Sequence, residues 1–403
     1  MVYTDAYIFQ GEKGFIRGSL RISGGRIREI LPAGQADRPE MSLAEEKLPD
    51  CGRTRAGDSG REEAREQEVS LHGSYVLPGL VDIHTHGNSG HDFSDGSPEG
   101  LAAMGRYMAS HGITSFLPTS MTLPYDRLEE AFRTAAGYMQ SPPDGGARIL
   151  GIHMEGPYFS EKKKGAQNSA YLKLPDADGF LDLQDKCGGI IRIVDVAPEL
   201  CGAGEFVREV SGLCRVSVAH TDASYEEAAR AFDAGASHVT HLFNAMPPVH
   251  HRSPGVIGAA CEREDVCAEL ICDGLHVHPS VIRMAFRLFP GRICLISDSL
   301  RCCGMPEGVY ELGGQSVTLK NGQARLADGT LAGASANLYE DLVNAIHFGI
   351  KVEDAITAAT LTPAREAGMD DEVGSLDAGK KADFLVCDPQ WNLQQVYIGG
   401  QEV

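Results

Sequence analysis

The sequence predicts an α/β fold: a (β/α)8 TIM-like barrel with a small β-sandwich domain built from both chain ends. Three observations carry this prediction. Between residues 79 and 299, about 220 residues, eight short apolar runs alternate with helical stretches, which is the pattern of a closed parallel barrel. Nearly every run ends in His, Glu, Asp or Asn, and in such a barrel the C-terminal strand ends converge on the catalytic face. The first and last parts of the chain read instead as short strands and turns. The expected division is therefore 1–77 with 368–403 for the β domain and 78–367 for the barrel. A doubly wound open sheet would carry a Gly-rich phosphate loop after its first strand, and none is present.

From the N-terminus, DAYIFQ, GFIRGSLRISGGRIREI and SYVLPG read as strands, with Gly24–Gly25 as a hairpin turn. From about Met41 to Glu68 the chain holds eight acidic and five basic residues and few large apolar ones. Such a stretch buries little surface, so a mobile surface insertion is expected, with a short exposed helix at REEAREQE. The eight runs follow: GLVDIHTH, ITSFLPTS, RILGIHMEG, IIRIVDVAPE, RVSVAHTD, HVTHLFNAM, AELICDGLHV and RICLISDS. YEEAARAFDAG and PSVIRMAFRLF are among the helical stretches between them. After Asp298, VYELGGQSVTLKNGQARLADG reads as hairpins and two helical stretches end near Ala367. The closing EVGSLDAGKKADFLVCDPQWNLQQVYIGGQEV returns to short strands.

Bulk composition narrows the function. The 403 residues hold 36 Lys and Arg against 56 Asp and Glu, a formal charge of −20. That charge repels nucleic acid and anionic membrane surfaces, so neither is an expected partner. It also repels an anionic metabolite, so a phosphorylated substrate needs a locally basic pocket. MVYTDAYIFQ has no basic segment followed by an apolar core, and no apolar run approaches the roughly 18 residues of a membrane span. A cytoplasmic location is expected. The eleven cysteines form no CxxC pair and read as buried, reduced thiols; the adjacent Cys302–Cys303 has no assigned role.

The chemistry starts at His84-Thr-His86, on the opening strand of the barrel. Residues i and i+2 share a strand face, so both imidazoles can reach one ion. An isolated HxH is weak evidence, but its company is not. Glu155 ends the third run, His220 the fifth, His241 the sixth and Asp298 the eighth. Four imidazoles and two carboxylates on one rim suit a borderline divalent cation such as Zn²⁺ or Fe²⁺. Without metal or partners, burying the two carboxylates would cost several kcal/mol each.

These strand-end residues resemble the amidohydrolase superfamily. Within it, GIHMEGPYF, KKGAQN, VAHTDA, THLFNAMPP, DGLHVHP and LISDS resemble the N-acetylglucosamine-6-phosphate deacetylase family, across essentially the whole chain apart from 41–68. The resemblance implies that Glu155, His220 and His241 hold a principal metal ion. His84 and His86 would hold a second, with Glu155 bridging. Family members without the HxH work with one ion; this chain keeps both histidines, which favours two. Fe²⁺, Zn²⁺, Co²⁺ and Mn²⁺ all share such ligands. Asp298 is the implied general acid/base, and His276 polarises the acetyl carbonyl. Asn244, Ala245 and Arg252 look like the phosphate-binding group, with Arg252 acting in its own pocket or in that of a neighbour in a homodimer. Gln167 sits near the sugar. Lys162–Lys164 reads as a solvated loop and His153 as a support for Glu155. The rivals are another amidohydrolase, such as a cyclic-amide hydrolase or deaminase, and a non-catalytic scaffold. The first rival lacks the phosphate group of residues, and a scaffold usually loses ligands.

Overall fold

Each of the eight apolar runs forms a barrel strand: β1 (Leu80–Thr85), β2 (Ile113–Ser120), β3 (Ile152–Tyr158), β4 (Ile191–Val196), β5 (Arg215–Val218), β6 (His238–Val239), β7 (Cys267–Ile271) and β8 (Ile293–Ile296). They pair in chain order, with Arg148–Ile149 as a further short strand beside β2. Neighbouring strands are parallel throughout. β8 returns to β1: Thr85 bridges Ser299 in parallel register, and the Asp298 amide donates to the His84 carbonyl at 2.9 Å. The computed structural model describes residues 1–33 and 67–403. Apart from Gln67 and Glu68, the polar stretch and the helix expected within it lie outside the described residues.

Helices form where the sequence pattern places them. YEEAARAFDAG becomes Tyr225–Ala234, with a capping box in which Ser224 and Glu227 satisfy each other's free amides. Ala228, Ala231 and Phe232 are its buried stripe, at the i, i+3, i+4 spacing of one helix face. PSVIRMAFRLF becomes Pro279–Leu288, with proline at its first turn. These stripes and the strands build the main core.

The chain ends share one seven-stranded mixed sheet, in the order Gln401–Glu402, Leu393–Ile398, Phe384–Cys387, Glu68–Pro78, Val2–Phe9, Phe15–Ser23, Arg26–Pro32. Gly24 and Gly25, at φ of 61° and 72°, form the expected two-residue turn; two positive φ values match a type I′ hairpin. The sheet curls on itself, so that Arg26 bridges Lys381 across it. Tyr3, Phe384 and Tyr397 pack in the apolar layer enclosed between its halves. After β8, residues 308–333 form a four-stranded antiparallel sheet. Its buried face, Leu312, Val317 and Leu319, packs with Met121, Ala166 and Leu300 near the barrel mouth.

Candidate active site

His84 on β1 and His86, one residue past its end, hold their ring centroids 5.3 Å apart, and Glu155 lies on β3. The remaining three share one local device. His220, His241 and Asp298 each sit two residues beyond the end of β5, β6 and β8, with φ of 43°, 30° and 48°. A non-glycine residue in that left-handed region costs on the order of 1–3 kcal/mol and persists where its surroundings enforce it, commonly at functional sites. At each position the chain turns away from the strand while the side chain stays with the cluster.

Glu155 is the hub. Its Oε1 lies 3.2 Å from both His220 Nε2 and His241 Nε2 and 3.6 Å from His84 Nε2. Its Oε2 lies 3.4 Å from His86 Nε2 and accepts a hydrogen bond from Gln167 Nε2 at 2.6 Å. Asp298 Oδ1 stands 3.4 Å from His86 Nε2 and 3.6 Å from His84 Nε2. All six candidate ligand and acid/base residues are buried.

Tautomers sharpen this picture. Nδ1 of His84 meets Glu269 Oε2 at 2.8 Å, Nδ1 of His86 the Thr119 carbonyl at 3.1 Å, and Nδ1 of His220 the Lys163 carbonyl at 2.8 Å. These partners only accept, so Nδ1 carries the proton and Nε2 is left as a potential ligand. His84 Nε2 is buried with no hydrogen-bond partner among the described residues. Two ligands about 2.0–2.1 Å from a tetrahedral ion lie about 3.3 Å apart, and His220 Nε2 and His241 Nε2 are 3.1 Å apart.

The cluster also needs positive charge. Burial pushes the Glu155 carboxyl up, but His220, His241, His84 and His86 reverse this and hold it well below the usual range. Burial likewise raises Asp298, and His86, His84 and His241 bring it below its ordinary value. For His84, burial opposes protonation, and Glu269, Glu155 and Asp298 more than reverse it. A divalent ion meets the same demand. Glu155–His220–His241 and His84–His86–Glu155 are both compact enough to hold one. His84–His153–Glu269 is equally compact, but both His153 nitrogens already have partners, Ile83 O at 3.0 Å and Asp195 Oδ1 at 2.9 Å.

A cavity of about 180 Å³ opens over the cluster, lined by Gln167, Asn244, Ala245 and His276 as well as by His86, Glu155, His220, His241 and Asp298. Gln167 is clamped between Glu155 and the Thr122 amide, its Oε1 accepting at 2.8 Å. Arg252 is not in this cavity. It is exposed, with Nη1 2.7 Å from His251 Nε2, and lines a separate cleft with Asp222, Glu226 and Glu227. A larger cavity of about 540 Å³ beside the start of β8 contains none of the candidate residues.

Several contributors carry no clear mark in the sequence. The Lys162–Lys164 loop is more than a solvated run, because the Lys163 carbonyl orients His220. Asp273 holds His276 Nδ1 at 2.6 Å, a pairing readable as Asp three residues before His in DGLH. Glu269 was visible only as a single charge inside the apolar run AELIC. Residues 330–333 of the four-stranded sheet also line the cavity, and nothing in their pattern marks them.

The amidohydrolase family model matches residues 75–403. Over 319 residues the chain is 40% identical to an N-acetylglucosamine-6-phosphate deacetylase of Bacillus subtilis (strain 168), covering 78% of this chain and 80% of that protein. It is 35% identical over 331 residues to an N-acetylgalactosamine-6-phosphate deacetylase of Escherichia coli O157:H7, covering 81% and 87%. The solved Mycobacterium smegmatis N-acetyl-D-glucosamine-6-phosphate deacetylase mutant, in complex with N-acetyl-D-glucosamine-6-phosphate, superposes with a TM-score of 0.86 at 29% identity, covering 100% of this chain and 98% of that one. With its barrel, its Glu155-centred histidine cluster and this breadth of similarity, the chain belongs to the amidohydrolase family, among the N-acetylglucosamine-6-phosphate deacetylases.

Proposed function

We propose that the chain hydrolyses N-acetyl-D-glucosamine 6-phosphate to D-glucosamine 6-phosphate and acetate, as a cytoplasmic homodimer serving amino-sugar breakdown and recycling. The observation that carries this reading is the position of Glu155, its two oxygens shared among four imidazoles with Asp298 opposite. A carboxylate thus stands at the centre of the cluster, and the named relatives supply the substrate class.

Glu155, His220 and His241 would hold one ion, and His84 and His86, with Glu155 shared, a second. Ions bound there supply Lewis acidity and lower the pKa of water towards neutrality. Asp298, anionic and at the edge of the cluster, takes the proton of the attacking water and returns it to the departing amine. His276, which lines the cavity and whose Nδ1 is held by Asp273 at 2.6 Å, polarises the acetyl carbonyl oxygen as charge builds there. Gln167 fixes the rotamer of Glu155. Asn244 and Ala245 face the phosphate, and Arg252, which lies outside this cavity in its own subunit, would bring positive charge to the phosphate from a neighbouring subunit of the homodimer.

Two assays test the reading. Deacetylation of the 6-phosphate should far exceed that of unphosphorylated N-acetylglucosamine, and the galactosamine epimer is the informative third substrate. If phosphate made no difference to kcat/KM, the substrate assignment would fail. His84→Asn combined with His86→Gln should take elemental analysis from two ions per chain to one. Two ions retained in that variant would exclude His84 and His86 as ligands.

A further inference from the structure

Glu269 is a fully buried carboxylate in the middle of β7, a strand otherwise built for apolar packing. Burying such a group is costly unless each oxygen is matched, and here each one is. Oε2 accepts from His84 Nδ1 at 2.8 Å and from the His241 amide at 3.1 Å. Oε1 lies 3.3 Å from His238 Nε2, and His238 Nδ1 lies 2.9 Å from Glu366 Oε2. β7 and β1 are not neighbours in the sheet, so the link to His84 crosses the barrel interior.

We infer that Glu269 is a positioning residue for the metal centre, fixing the His84 imidazole and through it the second ion. The inference rests on the two-ion reading above. A free imidazole can rotate and exchange tautomers, and either change takes Nε2 out of register with His86 and Glu155. An anionic acceptor on Nδ1 removes both freedoms and makes Nε2 a better donor to metal. Oε2 is itself anchored by the His241 amide, and Oε1 by His238, so the acceptor has little room to move. An apolar residue would fill the space and hold none of these groups.

The test is a Zn²⁺ titration of the full chain after dialysis against chelator, read as stoichiometry and affinity of each ion. The wild type should take two ions. Glu269→Leu should weaken the second by about 10–100-fold and the first far less. In a His84→Ala background Glu269→Leu should cost the second ion nothing further, because it acts through His84. Glu269→Gln keeps a neutral acceptor, folds where leucine fails, and should give an intermediate loss. Unchanged second-ion affinity in Glu269→Gln, equal loss of both ions in Glu269→Leu, or additive losses with His84→Ala would each overturn the assignment. A wild type that takes one ion overturns the two-ion reading itself, and this inference with it.

Discussion

Asp298 shows how much one residue's setting decides. It is nearly buried among imidazoles that keep it anionic despite desolvation, and its left-handed backbone turns it off the end of β8. An anion there can accept a proton from water and later return it. Asp298→Asn preserves shape and hydrogen bonding but cannot accept that proton. It should keep bound metal and near-normal substrate affinity, while kcat falls at least the roughly 10²–10⁴-fold typical of general acid/base catalysis. Single-turnover kinetics with elemental analysis on the same sample checks this, and a loss under tenfold would remove Asp298 from proton transfer. Asp298 and the candidate ligands were readable because strand ends converge in a barrel. Lys163 was not, since it acts through a backbone carbonyl, which carries no side-chain signature. Nor was Gln167's hold on Glu155, because amides pair with many partners and only the fold selects one.

At the scale of elements, the eight strands were legible as bounded apolar runs, and the Tyr225–Ala234 helix as a capped, striped segment. Less legible was the polar ladder inside the barrel, where His238 on β6 links Glu269 on β7 to Glu366 on the short helix Leu361–Glu366. Burial pulls the His238 proton affinity down, but Glu269 and Glu366 push it up to about 9. The folded value lies above the unfolded one of about 6.5. The resulting stabilisation is complete below pH ~6.5 and is lost as pH rises through about 9. From 6.5 to about 9 it amounts to on the order of 3 kcal/mol. Thermal unfolding from pH 6 to 10 should therefore show a fall in Tm across that window that is shallower in His238→Gln. Parallel curves for the two proteins would mean that His238 is not charged in the folded state.

For the molecule as a whole, the barrel and the shared terminal sheet followed from strand patterning, while the placement of Arg252 did not. The resemblance left two places for it, its own pocket or that of a neighbouring subunit. The fold puts Arg252 on an exposed loop beside Asp222, Glu226 and Glu227. An arginine there does not line the cavity of its own subunit. In the proposed homodimer the same loop would serve the partner's cavity, an isologous contact repeating the arrangement both ways. Mixing subunits separates these cases. Arg252→Ala and Asp298→Asn homodimers should each be impaired on the 6-phosphate. If Arg252 serves the neighbour, a heterodimer of the two regenerates one complete site, because the Arg252→Ala subunit keeps Asp298 and receives Arg252 from its partner. Random reassortment of equal amounts should then recover about a quarter of wild-type activity. If Arg252 serves its own subunit, no site in the mixture holds both residues, and activity should not exceed the average of the two parents.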